Sequence, residues 1–130
     1  MRIENDITTL MLNEPKITDL VGQRIYPMML NAEQTYPAIT IQRVSKTMSN
    51  RSRENVMNKP VLQITVWDKN FPKVHEVAEV LVKKLDGFSG FMSKGMTTIF
   101  QVGGNSLYDP DSQLYYEPLD FEVSHEKERV

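Results

Sequence analysis

The stretch 60–87, PVLQITVWDKNFPKVHEVAEVLVKKLDG, decides the fold. From Val74 onward its apolar residues fall at Val74, Val77, Ala78, Leu81, Val82 and Leu85. That is the i, i+3, i+4, i+7, i+8, i+11 series of one helical stripe. Lys73, His75, Glu76, Glu79, Lys83 and Lys84 take the opposite face, and Glu79 precedes Lys83 by one turn, a spacing that favours pairing. Asn70 can cap this helix, and Pro72 can sit in its first turn, where a missing N–H costs nothing. Gly87 can supply the left-handed residue past its end. Upstream, Leu62, Ile64 and Val66 alternate with Gln63, Thr65 and Trp67, the period of a strand with two unlike faces. Helix stripe and apolar strand face can bury each other, and the rest of the chain is expected to be built around that unit.

On the N-terminal side, PAITIQRV at 37–44 places Ile39 and Ile41 on one face of a second good strand. Between the two strands, SKTMSNRSRENVMNK has no apolar periodicity. The spacing predicts an antiparallel pair joined by a long mobile loop, 45–59, of a length that is uncommon inside compact domains and usually functional or disordered. Further back, Ile3, Ile7, Leu10 and Met11 predict a short amphipathic helix over 3–13, with Pro15 as its stop and Glu14 pushed extended. Thr18–Val21 is expected to add a turn, and Arg24–Pro27 a brief extended segment.

On the C-terminal side, 88–95 reads as a glycine-punctuated connection and Thr97–Val102 as a strand closed by Gly103-Gly104-Asn105. Tyr108-Asp109-Pro110-Asp111-Ser112 is turn chemistry. A last strand, 114–123, aligns Leu119, Phe121 and Val123, with Pro118 pointing to an edge or bulged position. Residues 124–130 are expected to fray. The order predicts one α+β domain over 1–130: a mainly antiparallel sheet carrying two helices on one face.

At 130 residues, with 40% hydrophobic and 25% charged residues, the composition is that of an ordinary globular domain. No apolar run approaches the ~20 residues of a membrane span, and the start MRIENDITTL does not read as a signal peptide. The absence of cysteine excludes disulfides, zinc–thiolate sites and thiol nucleophiles. A net charge of −2 argues against a dedicated nucleic-acid binder. Charge is uneven, however. Residues 43–59 carry five basic side chains, Arg43, Lys46, Arg51, Arg53 and Lys59, against Glu54, a net of +4. Residues 109–130 carry seven acids (Asp109, Asp111, Glu117, Asp120, Glu122, Glu126, Glu128) against Lys127 and Arg129, a net of −5. Such asymmetry steers partners or self-assembly; it is equally the pattern of solvated loops.

Catalytic signatures are missing. His75-Glu76-Val77-Ala78-Glu79 lacks the second histidine of a metalloprotease helix, so a weak His75–Glu79 metal pair is the most it offers, and an exposed helix face is the plainer reading. No nucleophile elbow, P-loop or dinucleotide fingerprint is present. Pro110 and the lack of a glutamate at the twelfth loop position, which is Asp120, exclude an EF-hand pattern at Asp109 and Asp111. No enzyme, cofactor or metal site is expected. The eight methionines include Met28, Met29, Met48, Met57, Met92 and Met96, several of them in predicted loops, where they suit adaptable protein contacts, although core filling is the default reading.

A family likeness runs through most of the chain. Leu20-Val21-Gly22, Arg24-Ile25-Tyr26-Pro27 and Tyr36-Pro37-Ala38-Ile39 resemble the opening of the phage tail-completion (tail terminator, head-to-tail joining) family of long-tailed phages. Gln63-Ile64-Thr65-Val66-Trp67, the helix after it and Leu85-Asp86-Gly87-Phe88 resemble its centre. Tyr108-Asp109-Pro110-Asp111, Leu114-Tyr115 and Leu119-Asp120-Phe121 resemble its closing hairpin.

The resemblance implies a non-enzymatic virion protein, made in the bacterial host cytoplasm. It would cap the head-proximal end of the tail tube, commonly as a hexameric ring, and meet the tube protein on one side and the head connector on the other. DNA would be only passing cargo, and no membrane is involved. On that reading Arg43, Lys46, Arg51, Arg53 and Lys59 would face a partner or the lumen. Asp109, Asp111, Glu117 and Glu122 would form the acidic side of a subunit interface. Two alternatives are a head-completion or connector protein of the same particle, and a regulatory α+β domain with a small ligand between sheet and helices.

Overall fold

The computed structural model describes residues 3–30, 34–46, 60–92 and 95–126. Within them the chain forms helices α1 (Ile3–Leu12) and α2 (Pro15–Val21), strands β1 (Ile25–Pro27), β2 (Ala38–Lys46) and β3 (Pro60–Asp68), and helix α3 (Phe71–Leu85). Strands β4 (Ser89–Met92), β5 (Gly95–Gly104), β6 (Leu107–Asp109) and β7 (Leu114–Glu126) follow. The seven strands make one sheet in the order β1-β2-β3-β7-β5-β4, with β6 added beside β7. The sheet is mixed: β1 runs parallel to β2, and the other pairings are antiparallel.

The α+β class stands. Three helices are present among the described residues where two were expected, and the added one is α2. Pro15 is its first-turn residue, not a stop for α1; Glu14 is extended (φ −106°, ψ 109°), and its carboxylate accepts from the Lys16 amide, which caps the helix. Ile17 and Val21, one turn apart, are its buried residues.

The Glu14 cap has a pH signature. The Lys16 amide, with Lys84 Nζ 3.3 Å away, holds the Glu14 carboxyl below its ordinary value of 4.5. A carboxylate with a depressed folded pKa stabilises above its unfolded pKa, and that gain disappears as pH falls through the folded value. Glu14→Gln is therefore expected to lower the urea midpoint at pH 7. The difference should narrow below pH 4.5 and vanish once both states are protonated.

The central helix forms as its stripe dictates. Asn70 is extended and accepts from the Lys73 amide, and Val74, Val77, Ala78, Leu81 and Leu85 are buried. Val82 is only partly buried. Lys73 pairs with Glu76 at 3.2 Å, one turn earlier than the Glu79–Lys83 pair that the spacing offered. At its far end Gly87 adopts φ +85°, a conformation that favours glycine. The Gly87 amide donates to Ile99 O at 2.7 Å and the Gln101 amide to Asp86 Oδ1 at 2.8 Å. These bonds lock the helix exit to β5.

Sheet register explains the core. Ile39 faces Val66 and Ile41 faces Ile64 across β2–β3; Leu119 and Phe121 face Ile64 and Leu62 across β3–β7; Ile99 faces Val123 across β5–β7. Cross-strand partners share a face, so these side chains line one side of the sheet. They form a single cluster with Ile3, Ile7, Met11, Ile17, Val21 and the α3 stripe. The other side carries a polar ladder, Gln42 to Gln63 (3.4 Å) and Gln63 to Asp120 (3.1 Å). Beside it Trp67 donates to Thr40 Oγ1 at 2.9 Å and stacks on Tyr116 with centroids 4.7 Å apart.

Several expectations need correcting. Ser45 and Lys46 are not loop: their backbones continue β2 opposite Val61 and Pro60. Residues 47–59 of the expected mobile loop lie outside the described residues. Residues 124–126 do not fray but pair with 96–98 of β5, and 127–130 lie outside the described residues. The connection after α3 contains strand β4, paired with β5. Pro118 is not on an edge, since β7 lies between β3 and β5. The Pro118 carbonyl accepts from the Asn105 amide, so its missing N–H faces the gap where β5 has ended and β6 has not begun. Thr65, its partner on β3, loses no ladder bond.

Candidate functional site

The nine residues of β3 span about 27 Å at the usual rise; among the described charges, Arg43, Lys46 and Glu122 lie toward its Pro60 end, and Glu117, Asp109 and Asp111 toward its Asp68 end. At the Pro60 end, Lys46 closes β2. Arg43 sits opposite Leu62, on the helix side, where its Nη2 lies 3.4 Å from Glu4 Oε1 of α1. Arg43 is therefore engaged within its own chain. Arg51, Arg53 and Lys59 lie outside the described residues.

The acidic group does not form one surface. Asp109 is spent on the β6–β7 turn: its carboxylate accepts from the Ser112 hydroxyl (2.8 Å) and the Asp111 amide (3.3 Å), and its carbonyl from the Gln113 amide. Asp111 is exposed in that turn. Glu117 and Glu122 are five residues apart on β7, so their side chains project to opposite faces. Glu122 lies on the side away from the helices, between Val61 and Phe100. Glu117 lies on the helix side, with its side chain 14% exposed; it accepts from Ser106 Oγ at 3.4 Å and stands 3.9 Å from His75 Nδ1.

His75 turns toward Glu117 and stacks on Phe71, with ring centroids 6.4 Å apart. Among the described residues no group of three or more His, Asp or Glu is placed to hold a metal ion.

Sequence reading missed an aromatic cluster at the Asp68 end. Register brings Tyr108 opposite Tyr115 and Leu107 opposite Tyr116, and Phe71 from the first turn of α3 meets Tyr115 edge-on at 5.7 Å. Phe71, Ser106, Leu107, Tyr108 and Tyr115 line an open cleft of about 390 Å³. The available signal was arithmetic: a tight turn at 109–113 folds Tyr108 back onto Tyr115. A second cleft, about 280 Å³ and lined by Glu14, Lys16, Val80, Lys83 and Lys84, lies between α2 and α3. At the β4 edge Phe91 (76% exposed), Met96 and Phe100 share the face away from the helices.

The sequence model of the family described as "Tail completion protein gp17" matches residues 5–126. A chain in the solved structure titled "Virion of native gene transfer agent (GTA) particle" superposes with a TM-score of 0.77 at 11% identity. The superposition covers 94% of this chain and 92% of that chain. At that identity the likeness is one of fold. No curated protein sequence matches this chain. Among the described residues no helix is long and apolar enough to cross a membrane.

Proposed function

We infer that this chain, which belongs to the tail completion protein gp17 family and is a structural component of a phage-like virion tail, caps the head-proximal end of the tail tube and joins tail to head as a closed ring. The family match over 5–126 carries the reading, because it spans the helices and the whole sheet and not one motif. A closed ring needs a heterologous contact, in which two different surfaces of one subunit meet. This subunit has two unlike sheet edges, β1 and β4. It also has two unlike ends, with Lys46 closing β2 at one and the aromatic–acidic hairpin at the Asp68 end of β3 at the other. Six copies, the number the family likeness implies, would leave a central opening for DNA. A net charge of −2 suits a conduit that lets DNA pass. The tube protein and the head connector are the partners on either side. No catalytic step is assigned to any residue.

Free protein is expected to be monomeric or weakly associated by light scattering, and cross-linking on purified tails is expected to give a closed ladder ending at the ring number. Ring formation should weaken with added salt, since exposed charges are screened over ~10 Å at 0.1 M. Cross-links that stop at a dimer on intact tails would end the ring reading. Sedimentation with tail-less heads would place the protein on the connector side instead.

A further inference from the structure

We propose that the cleft between the first turn of α3 and the β6–β7 hairpin is a docking site for an arginine side chain presented by a protein partner. Three rings wall it at different angles. Tyr115 stands at the centre, with Tyr108 tilted 50° at 4.7 Å and Phe71 edge-on at 61° and 5.7 Å. Phe71 and Tyr108 stay 43% and 48% exposed, though closing the cleft would bury both. Aromatic faces are the negative side of a quadrupole and attract cations.

The carboxylates near the cleft have the same sign as the ring faces, and the nearby lysine Lys73 is paired with Glu76. Ser106, which lines the cleft, donates to the Glu117 carboxylate. Asp109 follows Tyr108 directly, and Asp111 comes two residues later. No basic residue is among those lining the cleft. Glu117 has His75 beside it at 3.9 Å, a full counter-charge only when protonated. A planar guanidinium answers both features, stacking on a ring while its N–H groups reach a carboxylate; a compact ammonium does neither as well. The site is open and on the surface, so it suits a side chain carried on another polypeptide. It stands or falls independently of ring formation, because the isolated subunit carries the whole cleft.

The test uses blocked peptides Gly-Arg-Gly, Gly-Lys-Gly and Gly-citrulline-Gly, titrated into the isotope-labelled full chain and followed by NMR. The arginine peptide is expected to give saturable shifts confined to residues 71–75, 106–108 and 115–117. Citrulline, which keeps the shape without the charge, is expected to bind at least about fivefold more weakly, as is the arginine peptide with Glu117→Gln. Tyr108→Leu keeps apolar bulk without the ring and should also weaken the arginine peptide, with the remaining spectrum unchanged. Equal binding of arginine and citrulline would overturn the proposal, as would equal binding of lysine or the absence of saturation. Shifts scattered over the acidic strand and indifferent to Tyr108→Leu would reduce it to non-specific attraction. Binding seen only after Arg51→Ser with Arg53→Ser would show that the chain's own segment fills the cleft, and would equally overturn an outside partner.

Discussion

Leu81→Ala is expected to lower the unfolding free energy by about 2–5 kcal/mol, whereas Lys84→Ala is expected to change it by no more than about 0.5 kcal/mol. Leu81 is fully buried on the α3 stripe, in one cluster with Ile64 of β3 and Phe121 of β7. Truncation there removes apolar contacts from three elements at once and leaves a hole that a sheet paired on both sides of β3 cannot close. Ile64→Ala belongs to the same class, and Ile64→Val should cost only about 0.5–1.5 kcal/mol. Lys84, three residues after Leu81, has a 30% exposed side chain and one ion pair, to Glu14 at 3.3 Å. Its net worth is small because solvent screens the pair and two side chains must be held in place. Urea denaturation with an unchanged m-value measures all four. Equal losses at Leu81 and Lys84 would mean that α3 is rotated about its axis.

Local pattern made the core legible. The α3 stripe and the alternation in β2, β3 and β7 are periodic over enough residues that one orientation buries them, and the structure buries that orientation. Elements whose existence depends on a distant partner were not legible. Ser89-Gly90-Phe91-Met92 has no alternation, and it is a strand because β5 lies beside it. Pro15 carries the same local chemistry as a stop or as a first-turn residue; Glu14, capping the next helix, decides between them. Pro118 misled for the same reason: its tolerance in β7 comes from the break between β5 and β6, which no local pattern reveals. For the candidate site, sequence showed the charges and hid their geometry. Counting acids over 109–130 could not show that Asp109 closes a turn, that Glu117 sits under α3, or that Glu122 faces the other way.

Replacing both Arg51 and Arg53 with Ser is expected to leave the fold intact and to give complete tails that fail to join heads. Fold and charge separate cleanly here. Among the five basic residues of 43–59, Arg43 is already paired with Glu4 and contributes to the chain's own surface. In the proposed docking role the remaining basic residues of the segment are Lys46, Arg51, Arg53 and Lys59, and the double change removes two of these four. Arginine is the side chain that grips carboxylates through a planar pair of N–H groups, so serine takes away geometry as well as charge. The described β2–β3 ladder, which runs out to the pair Lys46 with Pro60, does not include either arginine. Arg43→Ala serves as the internal control: it breaks one exposed pair, with a stability change within about 1 kcal/mol, and joining should proceed. Electron microscopy counts tails and joined particles, and plaque assays count productive ones. Joined particles that fail in DNA passage would move the two arginines from a protein contact to the channel wall. Normal joining with full infectivity would show that the segment is solvated charge, and the docking role would have to lie elsewhere on the subunit.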